Sequence, residues 1–319
     1  MEFRLTDEQY MVRESAQAFL ADVSSPQQVR EAMTQAASYD PAVWQRLCNE
    51  LCLQAITIPE EYGGLGMSYV YLAIVLEQMG RTLLCSPFLA TTAFATNAIV
   101  LTASDAQKQQ LLPAIAEGSC TATLAWTGPQ AARMGGTWGA QAISATYQAN
   151  DSGYVLDGEF SYVLDGDTAD LLIIAARAPG SSGTQGVSLF AVPANTAGVD
   201  ATWTPSMDQT RRQAKISLNA VAVATDMRLG EEGQAWPQLQ KTLALAKIAL
   251  AAEQSGIAAK TLEMAVDYTM EREQFGRAIA SYQAVKHKAA DMKLKAEVAC
   301  SAVYYAACVA SEVLAPEGD

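Results

Sequence analysis

Within the stretch Tyr268-Thr-Met-Glu-Arg-Glu-Gln-Phe-Gly-Arg-Ala-Ile-Ala-Ser-Tyr-Gln-Ala-Val-Lys-His287, Arg272 and Phe275 stand three positions apart. On a helix that spacing puts both on one face. A guanidinium there can fork onto phosphate oxygens, and the ring beside it can cover a purine or join a core. The same pair fits a structural role, since an Arg near a helix C-terminus is a favourable dipole partner. Gly276 is expected to supply the positive φ that ends this helix, and Ser281 to cap the next.

Other chemistries find little support. His287 is the single histidine, and it sits in a Lys-rich helix start, a poor setting for a Ser-His or Cys-His nucleophile. The six cysteines, Cys48, Cys52, Cys85, Cys120, Cys300 and Cys308, are scattered without a Cys-x-x-Cys, so neither a zinc site nor a disulfide framework is expected. A net charge of -13 argues against nucleic-acid or anionic-membrane partners and leaves any anionic ligand to a few local cations. No apolar run reaches the roughly 18 residues of a membrane span, and Met1 to Glu8 lacks a signal-peptide layout, so a cytosolic protein is expected.

The elements that must position these residues fall into three blocks of this 319-residue, half-hydrophobic chain. Residues 1–119 read as helical: Thr6 caps a first segment with Tyr10, Ala18 and Phe19 on its apolar side, Pro41 opens another, and Ser68 to Met79 forms an apolar core helix, with Pro87 and Pro113 bounding two more. The loop Ile56-Thr-Ile-Pro-Glu-Glu-Tyr-Gly-Gly-Leu-Gly66 lacks phosphate-loop spacing and reads as a tight turn. Residues 120–233 break into short β-rich runs at 121–126, 142–148, 154–159, 171–177, 187–193 and 215–222, suggesting a small antiparallel barrel or sandwich. Residues 234–319 return to helix. Leu239, Leu243, Ala246 and Leu250 form one stripe of a helix that can run to Phe275, with Gly256 as its weak point. Val285, Ala289, Met292, Ala296, Ala299, Val303, Ala306, Ala310 and Val313 then recur in four-three alternation, a heptad seam that needs a partner helix.

This α+β order of helical domain, β domain and helical bundle, with Arg-x-x-Phe-Gly closing the penultimate helix, resembles the acyl-CoA dehydrogenase flavoprotein family. The matching pieces run along essentially the whole chain in the family's order: Ile58-Pro-Glu-Glu-Tyr-Gly-Gly-Leu-Gly66, Leu112-Pro-Ala-Ile-Ala-Glu-Gly118 running into Thr121-Ala-Thr-Leu-Ala125, Leu156-Asp-Gly-Glu-Phe-Ser-Tyr-Val-Leu-Asp-Gly166, Glu271-Arg-Glu-Gln-Phe-Gly276 and Tyr282-Gln-Ala-Val-Lys-His287. The resemblance implies FAD, an acyl-CoA substrate and α,β-dehydrogenation, with electron-transfer flavoprotein as electron acceptor. It implies that Arg272 pairs with the FAD pyrophosphate and Phe275 packs at the adenine side, both reaching a flavin held mainly by a neighbouring subunit. Thr127 matches the hydrogen-bonding Thr of the flavin-side strand, and Tyr162 takes the family's aromatic position against the isoalloxazine.

Departures from the pattern shape the expected function. Thr127-Gly-Pro-Gln-Ala-Ala-Arg-Met-Gly-Gly136 replaces the usual Thr-Glu-Pro-Gly-x-Gly-Ser-Asp loop, and Leu164 stands where many members place a Thr. One family location of the catalytic Glu holds Ala246 followed by Lys247, and the other falls beyond Pro316-Glu-Gly-Asp319, which resembles the loop before the family's last helices; the sequence is either cut short there or that of a short subunit. Glu253, two turns beyond Ala246, fits a polar helix residue facing a partner better than a substitute base. No catalytic residue is therefore assigned. The implied role is one subunit of a homologous hetero-oligomer, as in the family's bacterial members acting on steroid side-chain thioesters. A flavin-poor structural subunit completing a partner's FAD site, and an oxygen-using oxidase-like offshoot, are the alternatives.

Overall fold

The computed structural model describes residues 4–133 and 138–314, and its chain divides into two compact units. The first contains residues up to 30, 68–84 and 247 onward; the second contains 31–67 and 85–246.

In the first unit, α1 (Asp7–Val23) opens on the expected cap: Thr6 accepts from the Gln9 amide while the Gln9 side chain returns to the Thr6 N–H. Its buried face is Ala16, Phe19, Leu20 and Val23, whereas Ala18 is exposed, because the apolar stripe is one step out of the expected phase. This face packs on α4 (Tyr69–Thr82), which also meets α9 (Gln283–Leu314). Most of the heptad seam of α9 is used: Val285, Ala289, Ala296, Val303, Ala306 and Ala310 are buried or half-buried, while Met292 and Ala299 are exposed and the Val313 side chain lies outside the described residues. Tyr304 of α9 donates to Glu77 of α4 at 2.6 Å.

The long α8 (Trp236–Glu271) approaches α4 backbone to backbone. A Cβ on Gly256 would lie 1.9 Å from the Glu77 carbonyl oxygen, and one on Gly80 would lie 2.0 Å from that of Glu253. Gly256, weak by helix propensity, is thus the residue that lets the helices touch. Gly256→Ala should destabilise by about 3 kcal/mol, despite the ~1 kcal/mol that Ala gains in a free helix. A urea midpoint that rises instead of falling would remove this account.

In the second unit, β1 (Ala122–Ala125), β2 (Thr146–Asn150), β3 (Gly153–Leu164), β4 (Leu171–Arg177), β5 (Val187–Pro193), β6 (Val199–Trp203), β7 (Gln213–Val223) and β8 (Arg228–Leu229) form one sheet in the order β6-β7-β3-β2-β4-β5-β8. Pairing is mostly antiparallel, but β1 joins β4 in parallel, which the expectation of an antiparallel domain missed. The sheet buries Tyr147, Leu156, Phe160, Phe190 and Ile216 in a single cluster. The helical part of this unit includes α3 (Pro41–Arg46), two π-helical stretches (Leu47–Leu51 and Leu89–Thr96), α5 (Asn97–Thr102), α6 (Asp105–Ala116) and the short α7 (Pro129–Arg133), and the division between the units falls within α2 (Pro26–Thr34). Pro113 lies inside α6 instead of bounding it, three residues from its end, where only one interior hydrogen bond is lost. The Gly63–Gly66 loop is the expected tight turn: Gly63 and Gly66 have φ of 86° and 58°, and a Cβ on Gly64 would strike the Ile58 carbonyl oxygen at 1.9 Å.

Candidate functional site

Thr127 lies two residues beyond the end of β1, and its carbonyl accepts from the Ser161 N–H at 2.9 Å, so the chain leaving β1 is tied to β3 one residue before Tyr162. Pairing with β7 slips between Phe160 and Val163, leaving Ser161 and Tyr162 opposite Lys215 alone. At this bulge Tyr162 adopts φ of 57°, costing about 1–2 kcal/mol for a residue with a side chain, and its ring is 54% exposed. A strained, exposed aromatic held beside a strand end is the arrangement a flat ligand needs. Just after β1, Trp126 stacks on Phe94 of the second π-helical stretch (ring centroids 5.7 Å apart, 19° between planes) and meets Trp138 at 5.5 Å. π-helical turns are rare and concentrate at functional sites. Thr123 donates to the Leu164 carbonyl at 2.6 Å, adding a second tie between β1 and β3. Of the loop that follows Thr127, Pro129–Arg133 form a short helix, and Met134 to Gly136 lie outside the described residues.

Arg272 and Phe275 belong to the other unit, and their setting corrects the helical expectation. α8 stops at Glu271; Glu273–Gln274 and Arg277–Ala278 form a two-stranded hairpin whose two turn residues, Phe275 (φ 55°) and Gly276 (φ 75°), are both left-handed. Positive φ at both central residues is the type I′ turn that matches strand twist. Gly276 has the expected positive φ, but it turns a hairpin, not a helix end. Arg272 and Phe275 therefore share no helical face: Arg272 leads into the hairpin, its carbonyl accepting from Ile279 N–H at 2.8 Å, and Phe275 tops it, 94% exposed. Tyr282 braces the hairpin by donating to the Gln274 carbonyl at 3.0 Å and lying under the Arg277 guanidinium. Ser281 does not cap α9, since its hydroxyl donates back to the Ala278 carbonyl.

Arg272 is exposed and makes no ion pair among the described residues. In one unit an exposed guanidinium and an exposed phenyl ring, and in the other a hydroxyl and an exposed phenol, are side chains that phosphates and flat ring systems accept, so the chemistry of each set fits a part of FAD. The acid–base positions do not assemble as clearly. Ala246 is fully buried, and Glu253 is buried within α8. Among the described residues no three metal-ligating side chains cluster. Burial raises the Cys48, Cys85, Cys120 and Cys300 thiols, to about 12 for Cys48 and about 11 for the others, the reverse of what a nucleophilic cysteine needs. No described helix is long and apolar enough to cross a membrane.

Sequence reasoning missed Arg177. Its guanidinium, 9% exposed, donates to the carbonyls of Ala140, Ile143, Gly183 and Gln185, fastening the segment that follows the Thr127 loop to the end of β4. Desolvation lowers its pKa. An Arg closing an apolar strand gave no signal of this.

Comparison with known proteins bears on both units. Residues 6–119 match the acyl-CoA dehydrogenase N-terminal domain and residues 233–316 the acyl-CoA dehydrogenase C-terminal domain. The acyl-CoA dehydrogenase IpdE2 of Mycolicibacterium smegmatis is 32% identical over 94% of this chain and 76% of its own length. Among solved structures, butyryl-CoA dehydrogenase from Megasphaera elsdenii superposes with a TM-score of 0.89 at 27% identity, covering 98% of this chain and 82% of that one. A variant of the Tcur3481-Tcur3483 steroid ACAD superposes at 0.83 with 29% identity, covering 97% and 79%. With both flanking domains matched and sequence likeness carried through the sheet between them, the chain belongs to the acyl-CoA dehydrogenase family of oxidoreductases, which act on the CH–CH bond of acyl-CoA thioesters.

Proposed function

We propose that this chain is one subunit of an FAD-dependent acyl-CoA dehydrogenase assembled from homologous, non-identical chains, with electron-transfer flavoprotein taking the electrons onward. The observation that carries the reading is the contrast between the two kinds of position. The cofactor-facing side chains, Arg272, Phe275, Thr127 and Tyr162, are present and accessible, while the base position at Ala246 holds a buried methyl group. Bound FAD would supply the acceptor for the β-hydride. Arg272 would fork onto the two phosphates, and Phe275 cover the adenine side, of a flavin held mainly by a neighbouring subunit, while Thr127 and Tyr162 would hydrogen-bond and flank the ring system of a flavin on their own unit. Ala246 can neither take nor hold the α-proton, so a carboxylate from elsewhere must do so. The name of the Tcur3481-Tcur3483 steroid ACAD pairs two chains, which supports the hetero-oligomer, and its steroid substrate class is the one we favour here. The protein is taken to work in the cytoplasm.

The test is the visible spectrum of the chain purified alone and with a homologous partner. Flavin absorbance that appears or increases in the complex, and bleaches with acyl-CoA, is expected. Arg272→Ala should lower flavin retention by roughly ten- to a hundred-fold, the worth of one charge-assisted fork. Unchanged flavin content and turnover in that variant would leave the chain as structural support for a partner's site. Peroxide formed without an electron-accepting flavoprotein would make it an oxygen-using offshoot.

A further inference from the structure

Within the first unit, away from the residues assigned to flavin, α1, α4 and α9 line a half-open cavity of about 610 Å3, within the range of small-ligand pockets. Its polar groups are already sorted. The Glu77 carboxylate is engaged on one side, accepting from Tyr304 at 2.6 Å with the Cys300 thiol at 3.9 Å. Arg13 is held differently. Its guanidinium carbon lies 4.8 Å from the centre of the Tyr10 ring, and it makes no ion pair among the described residues.

Stacking fixes the guanidinium plane and leaves its N–H edges unspent, so the ordering cost of binding an anion is reduced beforehand. The charge of Arg13 is felt across the cavity, where it opposes the burial and the Glu77 charge that together raise the Tyr304 phenol. The rest of the lining combines the apolar or weakly polar Leu5, Val70, Tyr304 ring and Cys308 with Arg4, Thr6 and Gln9. The stacked guanidinium, with the Arg4 charge on the same cavity, and the apolar side chains that line it are complementary to a carboxylate carrying a hydrocarbon tail.

We propose that this cavity is a second ligand site, taking a small organic carboxylate with a short apolar tail. Arg13 forks the carboxylate, and Leu5, Val70 and Tyr304 cover the tail. The site goes beyond the flavin reading and needs neither cofactor nor partner. Calorimetric titration of the full chain with octanoate, and separately with inorganic phosphate, tests it. Saturable octanoate binding at one site, weakened roughly ten-fold or more by Arg13→Gln at unchanged melting temperature, is expected. Partial recovery is expected in Arg13→Lys, which restores the charge without the fork. Absence of saturable octanoate heat at millimolar concentration would overturn the proposal. So would octanoate binding that ignores Arg13→Gln, since it would report another site, or phosphate binding as tight as octanoate, since the tail would then contribute nothing. If Arg13→Gln lowers the melting temperature, the Arg13→Lys titration decides: affinity no better than that of Gln removes the assigned cation.

Discussion

Asp167→Ala is expected to remove about 3–5 kcal/mol of unfolding free energy, a large part of the total for a domain of this size. Asp167 and Arg212 form an ion pair whose side chains are only 9% and 12% exposed. The Arg212 Nε donates to both carboxylate oxygens at 2.9 Å, Nη2 donates to Oδ2 at 2.5 Å, and Nη1 donates to the Ser38 hydroxyl at 2.9 Å. Removing the carboxylate strands a guanidinium that Ser38 and the Trp203 ring, its centre 5.3 Å away, cannot neutralise. The cost arises from that uncompensated charge, not from the net worth of the pair, so Asp167→Ala combined with Arg212→Met should recover most of the loss. Urea unfolding of the two single variants and the double variant measures this, with an unchanged m-value as the check that one transition is compared. Additive losses in the double variant would show that the pair is not coupled.

That ion pair joins residues 45 positions apart, and neither sequence neighbourhood announces it. What sequence does announce is the local pattern. β4 and β5 are legible to the residue because both are largely apolar runs, broken only by Arg177 and Ser188, buried along nearly their whole length. β6, Val-Asp-Ala-Thr-Trp, was not read as a strand: it is an edge strand, mostly exposed, without a buried face to impose alternation. The Thr6 capping box was legible through the Thr-x-x-Gln spacing alone. At the other extreme, the hairpin at Phe275–Gly276 was not, since Phe rarely takes the left-handed φ found there and an Arg-x-x-Phe-Gly string after a helical run reads as more helix. The π-helical stretch at Leu89–Thr96 was equally silent, its sequence being ordinary for a buried helix.

The candidate site follows the same division. Arg272 drew attention by residue chemistry, but Thr127 and Tyr162 were reached only through family resemblance, because nothing local marks a Thr at a strand end or a Tyr within a strand. Their joint setting, a backbone tie and a bulge, is set by long-range pairing of β1, β3 and β7. Ala246 shows the converse: the local stripe predicted its burial correctly, and burial is what makes its lack of an acid chemically consequential.

Arg177→Met should cost about 4 kcal/mol and loosen the segment that follows the Thr127 loop before it affects the rest of the sheet. Unlike Arg212, Arg177 meets its charge with carbonyl dipoles alone: Ala140 at 2.7 Å, Gly183 at 3.0 Å, Ile143 at 3.1 Å and Gln185 at 3.1 Å. Met matches much of the side-chain volume, so the loss is electrostatic, and charge-assisted hydrogen bonds are worth about 1.5–3 kcal/mol each while some of the freed carbonyls regain water. Lys, a point donor without the fork, should rescue less than half. Two readouts separate stability from local anchoring. The urea midpoint reports the first, and amide exchange near Ala140 to Ala145 reports the second, where protection is expected to fall further than in β7. Equal loss of protection in both places would mean that Arg177 stabilises the sheet as a whole, not the segment beside Thr127.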